Sequence, residues 1–447
     1  LTTPGEHPVT TTEPTPSVRL PGSLAPLGYR NYALYWFGLA SSNAGRWMEQ
    51  TGAVWLVYQM TDSPVLLGLL GVAKALPTLL IAPFGGVVAD RLDQRKLLFV
   101  TQGLAGLLSL GLGILVITGN VQLWQIYLEI TLTSVIAAFD VSSRQALFPR
   151  LIPRERLPAG VTLTSLASRS SAVIGPAVGG LAIASLGTGS PFLINAATFL
   201  VLMGALVAMR GVAPQPVGER TSFVAELSEG LSYIRRTKVL SGLLRLEMVF
   251  GAFQVNPVII AIIAHEVLHV GPEGLGGLLS APAVGALCGL GCLLLFGHTR
   301  RPGKFVVLLQ LAYATLLLLF SFSGYYLLSF ALLAGTGFFD VLETVTRLSI
   351  AQLAAPGRMR GRVMANMRTV TGGIGPMAQT QSGIMTDLIG GPQALIVAAA
   401  ALALSAATTV RTNRPLWDFT VDSMATEPGA ATREEVVPPE AESTSGP

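Results

Sequence analysis

The sequence predicts an all-α membrane protein of about twelve transmembrane helices, arranged as two six-helix halves. Three observations predict it: too few charges for a water-soluble surface, uncharged runs of bilayer length, and an internal repeat at a fixed offset. Charged residues make up 12% of the chain and hydrophobic residues 51%, where a soluble domain carries about 25% charged residues. Mean hydropathy is +0.59. Residues 97–128, 305–339 and 391–410 contain no Asp, Glu, Lys or Arg. One spanning helix takes about 20 apolar residues, so the first two runs read as hairpins. Thr118-Gly119-Asn120 and Ser321-Phe322-Ser323-Gly324 supply the turns at their midpoints. A membrane β-barrel would alternate polar and apolar residues over segments of about ten, and these runs of Leu, Val and Ala do not.

In chain order, residues 1–27 are rich in Thr and Pro and read as a disordered tail. They lack the basic start, short apolar run and cleavage site of a secretory signal. The first half, 28–210, holds helices expected near 31–59, 64–89, 97–117, 122–143, 157–186 and 191–209. A linker, 211–239, places Phe223, Leu227, Leu231 and Ile234 at helical spacing, which predicts an amphipathic helix on the membrane face. The second half, 240–412, holds helices near 240–264, 275–297, 304–321, 325–348, 362–388 and 393–411. Residues 413–447, rich in Pro, Glu, Ala and Ser, read as a second disordered tail.

The loops alternate in charge. One side receives Arg91, Arg95 and Lys96, then Arg150, Arg154 and Arg156, then the arginines of the linker, then Arg300, Arg301 and Lys304, then Arg358, Arg360 and Arg362. The other side receives none. Lys and Arg are retained in the cytoplasm during insertion, so both termini are expected inside and the helix count even. The same asymmetry accounts for the net charge of +4 and leaves a nucleic-acid partner unsupported. The two cysteines, Cys288 and Cys292, sit one turn apart in an apolar run and read as packing residues.

The halves repeat. "AAFDV" around Asp140 recurs as "GFFDV" around Asp340, and "VIGPAVGG" around Gly175 recurs as "GIGPMAQT" around Gly375, both 200 residues on (340 − 140 and 375 − 175). Parallel repeats of this kind put a substrate site between the halves near the bilayer midplane.

After the second helix the chain reads "GGVVADRLDQRKLL". Gly86, Asp90, Arg91, Arg95 and Lys96 in this loop resemble the G-x-x-x-D-R/K-x-G-x-R-R/K signature of the major facilitator superfamily, with Asp93 standing where the pattern has Gly. The resemblance implies a cytoplasmic latch in which Asp90 faces the backbone near Gly361 and Arg91 approaches Asp140. Gly175, Pro176, Gly179 and Gly180 resemble the end of the helix-five antiporter motif of exporters in that superfamily, with Thr162 and Ser171 at positions where the full motif has glycine. Generic tight packing accounts for the same small residues. The stretches 46–98 and 142–166 are similar to the branch that contains the enterobactin exporter and macrolide efflux proteins. The resemblance covers nearly all twelve helices, and it implies efflux of small organic molecules, drug-like or siderophore-like, across the bacterial plasma membrane by proton antiport, with a monomer as the working unit. The arginine midway along helix four of many proton antiporters has no counterpart here.

Charged side chains near the bilayer centre cost roughly 2.5–3.5 kcal/mol each and so face a cavity or a partner. Arg46 and Glu49 share a face of helix one, Lys74 lies on helix two, Glu129 on helix four, Arg169 on helix five, and Arg245 with Glu247 early in helix seven. These are the candidate substrate or proton sites, with Glu49 and Glu129 foremost for coupling; a structural ion pair between Arg46 and Glu49 is the alternative. Asp140 with Arg144, and Asp340 with Glu343 and Arg347, fall on single helix faces and read as cytoplasmic gate pairs. His265-Glu266-x-x-His269 matches the zinc-protease string, but its place at the outer end of helix seven points to a solvated loop. No metal, cofactor or enzymatic activity is expected. The remaining readings are an importer or facilitator on the same fold, and a membrane receptor or scaffold that moves nothing.

Overall fold

The computed structural model describes residues 22–210, 223–297 and 299–420. Among them there is no strand. A 3-10 turn at Gly22–Gly28 leads into α1 (Arg30–Thr61), followed by α2 (Pro64–Arg91), α3 (Gln94–Ile117), α4 (Leu123–Leu147), α5 (Leu157–Leu186) and α6 (Ser190–Ala208). Then come α7 (Phe223–Arg236), α8 (Lys238–Phe253), α9 (Pro257–Ile262), α10 (Pro272–Phe296), α11 (Pro302–Ser321), α12 (Tyr326–Ala354), α13 (Gly357–Ile389), α14 (Gly391–Thr412) and a last short turn, α15 (Arg414–Trp417).

Ten segments are long and apolar enough to cross a membrane, with α8, α9 and the turn after them counting as one. The helices α1 and α13, 32 and 33 residues long, complete the expected twelve. They are the polar members of the bundle: α1 carries Arg46 and Glu49, and α13 carries Arg362, Arg368 and Asp387. Both hairpin turns fall where the sequence put them, with Gly119 at φ +71° supplying the left-handed residue of the first.

The expected seventh helix is broken. Pro257 has no N–H to donate to the helix and pushes the residue before it out of helical geometry. Asn256 is accordingly extended (φ −141°, ψ 166°), and its side chain accepts hydrogen bonds from the Val258 and Ile259 amides to start α9. A π turn, Ile263–Val267, follows.

Helices α1–α6 pack on one another, as do α8–α14, and two antiparallel pairs join the groups: α2 with α13, and α5 with α10. Each pair closes on glycine. A methyl group on Gly180 of α5 would overlap the Pro272 carbonyl of α10, and one on Gly383 of α13 would overlap the Pro64 carbonyl of α2. Gly276 and Gly68 face them. Thr380 adds a hydrogen bond to the Gly68 carbonyl (2.8 Å), and Ser280 one to the Val173 carbonyl (2.7 Å).

These glycines lie toward the end of the bundle that holds the α1–α2 turn, here called the distal end; the opposite end holds the start of α1 and the end of α14. At the distal end one apolar core runs through both groups, from Val57 and Leu67 through Ile260 to Leu275 and Leu333. At the terminal end the core divides. Tyr32, Leu98, Leu147 and Leu202 pack within the first group, and Leu243, Val306, Ile350 and Leu416 within the second. Among the described residues the two groups are therefore joined distally and separate toward the termini.

The linker helix α7 sits on α8 and α13. Ile234 is fully buried in the second group's core, and Glu229 pairs with Arg362 at 2.6 Å. Part of the apolar face expected on the membrane, at Ile234, is spent on the protein itself. The side chains of Phe223 and Leu227 lie outside the described residues.

Candidate functional site

Between the two groups, near the middle of the bundle, is a cavity of about 180 Å³. Its walls come from both sides: Trp47 and Gln50 of α1 and Pro176 of α5 face Asn256, Tyr313 and Asp340 of the second group. The break between α8 and α9 lies in this wall. The Tyr313 hydroxyl accepts from the Val255 amide at 2.9 Å, satisfying one of the groups the break leaves open.

A charged cluster lies on each flank. In the first group Arg144 meets Asp140 at 2.7 Å, one turn along α4, and Arg46 of α1 reaches the same carboxylate at 3.5 Å. Gln102 donates to Asp140 at 2.6 Å and accepts from Ser42 at 3.2 Å. In the second group Arg347 of α12 pairs with Glu343 at 2.8 Å, again one turn away, and with Glu247 of α8. Thr371 of α13 donates to Glu247 at 2.7 Å.

The two clusters are alike in place, with one member changed in sign. Positions 140 and 144 correspond to 343 and 347 (both 203 residues apart), and Arg46 of α1 corresponds in place to Glu247 of α8. One is a carboxylate held by two arginines; the other is an arginine held by two carboxylates. Asp340, which the repeat set beside Asp140, is not in an ion pair with Arg347 and instead lines the cavity. Three residues are nearly one helical turn, so both acids lie near one face and the string alone could not choose between them.

The alternative reading of Arg46 and Glu49 as a structural ion pair is not what the described side chains form. Arg46 turns to Asp140 and Asn43, while Glu49 accepts from Ser109 at 2.7 Å and from Asn195. Glu129 is 5% exposed, and its Oε1 has no hydrogen-bond partner among the described residues. It lies within the field of Glu49. Lys74 is exposed although it stands among the helices, within the field of Arg46. Arg169 lies in the field of Asp340 across the gap.

Of the loop after α2, the side chains of Gly86, Asp90 and Arg91 lie outside the described residues. Arg95 is described, and it donates to the Leu206 and Val207 carbonyls at 2.6 and 3.0 Å, closing the end of α6. The departure at Asp93 has a local cause: its carboxylate caps α3 by accepting from the Arg95 and Lys96 amides. Asp140, which Arg91 was expected to approach, already has the partners named above.

On α5, Gly175 and Gly179 lie against Trp47 and Met48 of α1, while Gly180 lies against α10. Ser171, at a glycine position of the full motif, donates to the Ala40 carbonyl at 3.0 Å. Gly175, Gly179, Gly180 and Ser171 thus each serve a close helix contact, whereas Thr162 is exposed and bonds to the Pro158 carbonyl of its own helix.

The side chains of the zinc-protease string are exposed, as expected of a solvated loop, and two of them also make a contact between the groups. Glu266 accepts from the Tyr58 hydroxyl at 3.0 Å, and the His265 ring meets the Tyr58 ring edge-on at 4.8 Å. Among the described residues no three His, Cys, Asp or Glu side chains are grouped to hold a metal. Tyr58, Gln102, Ser109 and Asn195 escaped the sequence reading because uncharged polar residues carry no signal apart from the charges they serve.

The family model described as a transmembrane secretion effector matches residues 21–447. The chain belongs to that family. It is thereby a multi-pass membrane transporter of the major facilitator type, in the branch of the enterobactin exporter. It is 25% identical over 375 residues to the uncharacterised major facilitator transporter YfiS of Bacillus subtilis, covering 80% of this chain and 87% of that one. It is 26% identical over 280 residues to the enterobactin exporter EntS of Shigella boydii, covering 62% and 67%. Solved structures share the fold: a POT family transporter with 5-aminolevulinic acid (TM-score 0.71, 12% identity, 87% of this chain and 97% of that one) and the nucleoside transporter NupG (0.68, 11%, 88% and 99%). The family points to a small-molecule substrate and to transport rather than enzymatic chemistry.

Proposed function

We propose that this transporter exports small amphipathic organic molecules from the cytoplasm by alternating access, driven by protons moving inward. The observation that carries the proposal is the divided core: the halves share one apolar core at the distal end and separate toward the termini. The cavity between them is then reached from the terminal end. The basic loops put that end in the cytoplasm, with residues 28–210 and 240–412 as the rocking halves.

Closing the terminal end would bring the first half's net positive cluster toward the second half's net negative one, and the Asp90 loop belongs to the same inner gate. Opening the distal end would break the Tyr58–Glu266 bond and part the glycine contacts. Glu49 and Glu129 are the coupling candidates. Both are acids in the bundle interior with no basic side chain in ion-pair range among the described residues, so a proton can be taken up there without breaking a salt bridge. The working unit is a monomer, since each chain holds both walls of its cavity.

The test is accumulation of a panel of organic dyes in an efflux-deficient bacterium expressing wild type, Asp90→Ala or Glu49→Gln, with and without a protonophore. Lower accumulation with the wild type, abolished by the protonophore and by each variant, is expected. Raised accumulation would mean import and overturn the export direction; export untouched by the protonophore would overturn proton coupling.

A further inference from the structure

The first half presents cations to the cavity that its own acids do not neutralise. Asp140 is occupied by Arg144 at 2.7 Å and by Gln102 at 2.6 Å, so Arg46, at 3.5 Å from it, is the excess member of its cluster. The Arg46 side chain is 39% exposed. Lys74 is exposed and has no ion pair among the described residues, and Arg169 has none either. The acids of this half are turned elsewhere: Glu49 toward Ser109 and Asn195 of α3 and α6, and Glu129 into the packed interior.

These cations stand beside the cavity wall rather than in it, and Lys74 is placed there by its nearness to Arg46. Arg46 lies one turn from Gln50, and Arg169 lies three and seven residues from Ala172 and Pro176, all of which are wall residues. A charge accessible to water yet standing within a helix bundle faces an aqueous space, and one kept there without a partner has work for its charge. The wall itself joins apolar and aromatic residues, Trp47, Ile260, Leu279 and Tyr313, to the uncharged polar Gln50, Thr51 and Asn256. The wall opposite is negative, with Asp340 unpaired and two carboxylates on Arg347.

We infer that the cargo is an amphipathic organic anion, whose carboxylate or sulfonate is received by Arg46 and Lys74 and whose apolar body lies against Trp47 and Tyr313. The inference rests on the export reading and names the substrate class of the same cavity. Two cations from different helices suit one acidic group through charge-assisted hydrogen bonds. A monocation would be opposed by Arg46, Lys74 and Arg169 at like charge. When the anion enters, it supplies the negative charge that the first half lacks.

The experiment uses the purified full chain in detergent and three probes of one shape: 2-naphthoate, 2-naphthamide and 2-naphthylmethylammonium. Binding is read by quenching of tryptophan fluorescence, with Trp47→Phe identifying the signal from the cavity wall. Naphthoate is expected to bind about tenfold more tightly than the other two. Lys74→Gln should remove that advantage and leave naphthamide binding unchanged, and Lys74→Arg should restore it. Equal or tighter binding of the amide or the ammonium probe overturns the inference, as does naphthoate binding insensitive to Lys74→Gln. Flux of naphthoate in proteoliposomes separates the two claims. Selective binding without flux sinks the export reading and leaves the anion site; flux of the ammonium probe in preference to naphthoate sinks the anion site and leaves transport.

Discussion

Asp140 is a single buried carboxylate on which two arginines depend. It is 2% exposed and Arg144 is 10% exposed, while Arg46 reaches water. Replacing it by Asn would leave Arg144 an uncompensated cation in the protein interior, and breaking a buried pair in this way costs about 3–5 kcal/mol. Asp140→Asn should therefore lower the thermal unfolding midpoint sharply in detergent, whereas Arg46→Gln should lower it little, because Asp140 keeps Arg144 and Gln102. Equal effects of the two substitutions would mean that the cluster is not organised around the carboxylate. The sequence made half of this visible. Asp140 and Arg144 are four apart on one helix, a spacing that places them side by side whatever the rest of the chain does. The contact from Arg46 crosses from α1 to α4, and no local spacing encodes it.

The helices were the most legible elements, since length, uncharged composition and turn residues decide them locally. The break between α8 and α9 went unread because the apolar pattern continues through Pro257, and only the backbone shows Asn256 leaving helical geometry to cap the next segment. The glycine motif of α5 was visible as a motif, but its partner on α10 was not, since Gly276 sits in a run of other small residues. That contact yields an element-scale prediction. A side chain at position 180 must displace the Pro272 carbonyl, which is backbone and cannot turn aside. Gly180→Leu should force α5 and α10 apart at the distal end while leaving each half's own terminal core intact. The variant is expected to elute as a monodisperse protein and to lose transport at least tenfold, because the distally closed state is no longer reachable at a cost small against the conformational equilibrium. A variant that keeps full transport would show that the α5–α10 glycine contact does not define that closed state.

At the scale of the whole molecule, the two halves carry similar charge clusters of opposite net charge, and among the described residues they meet through a core that is continuous at one end only. The repeat in the sequence announced the duplication but not the change of sign, since the matching strings contain Asp140 and Asp340 and omit Arg46 and Glu247. The distal end is held by apolar contact and glycine packing, to which the Tyr58–Glu266 hydrogen bond adds a directional contact between halves. A hydrogen bond to a charged carboxylate adds roughly 1.5 kcal/mol or more, and part of it survives through water once the phenol is gone, so about 1 kcal/mol is the fair expectation for its loss. Tyr58→Phe keeps the ring and its contact with His265 while removing only the donor. It should raise the population open at the distal end about fivefold. The readout is alkylation of a single cysteine placed at Thr51, in the cavity wall, after Cys288 and Cys292 are replaced by serine. A membrane-impermeant maleimide added from the distal side should label Thr51→Cys about fivefold faster in the Tyr58→Phe background, and Glu266→Gln, which keeps an acceptor, should give a smaller rise. An unchanged labelling rate in both backgrounds would assign the distal closure to the glycine contacts and the shared core alone.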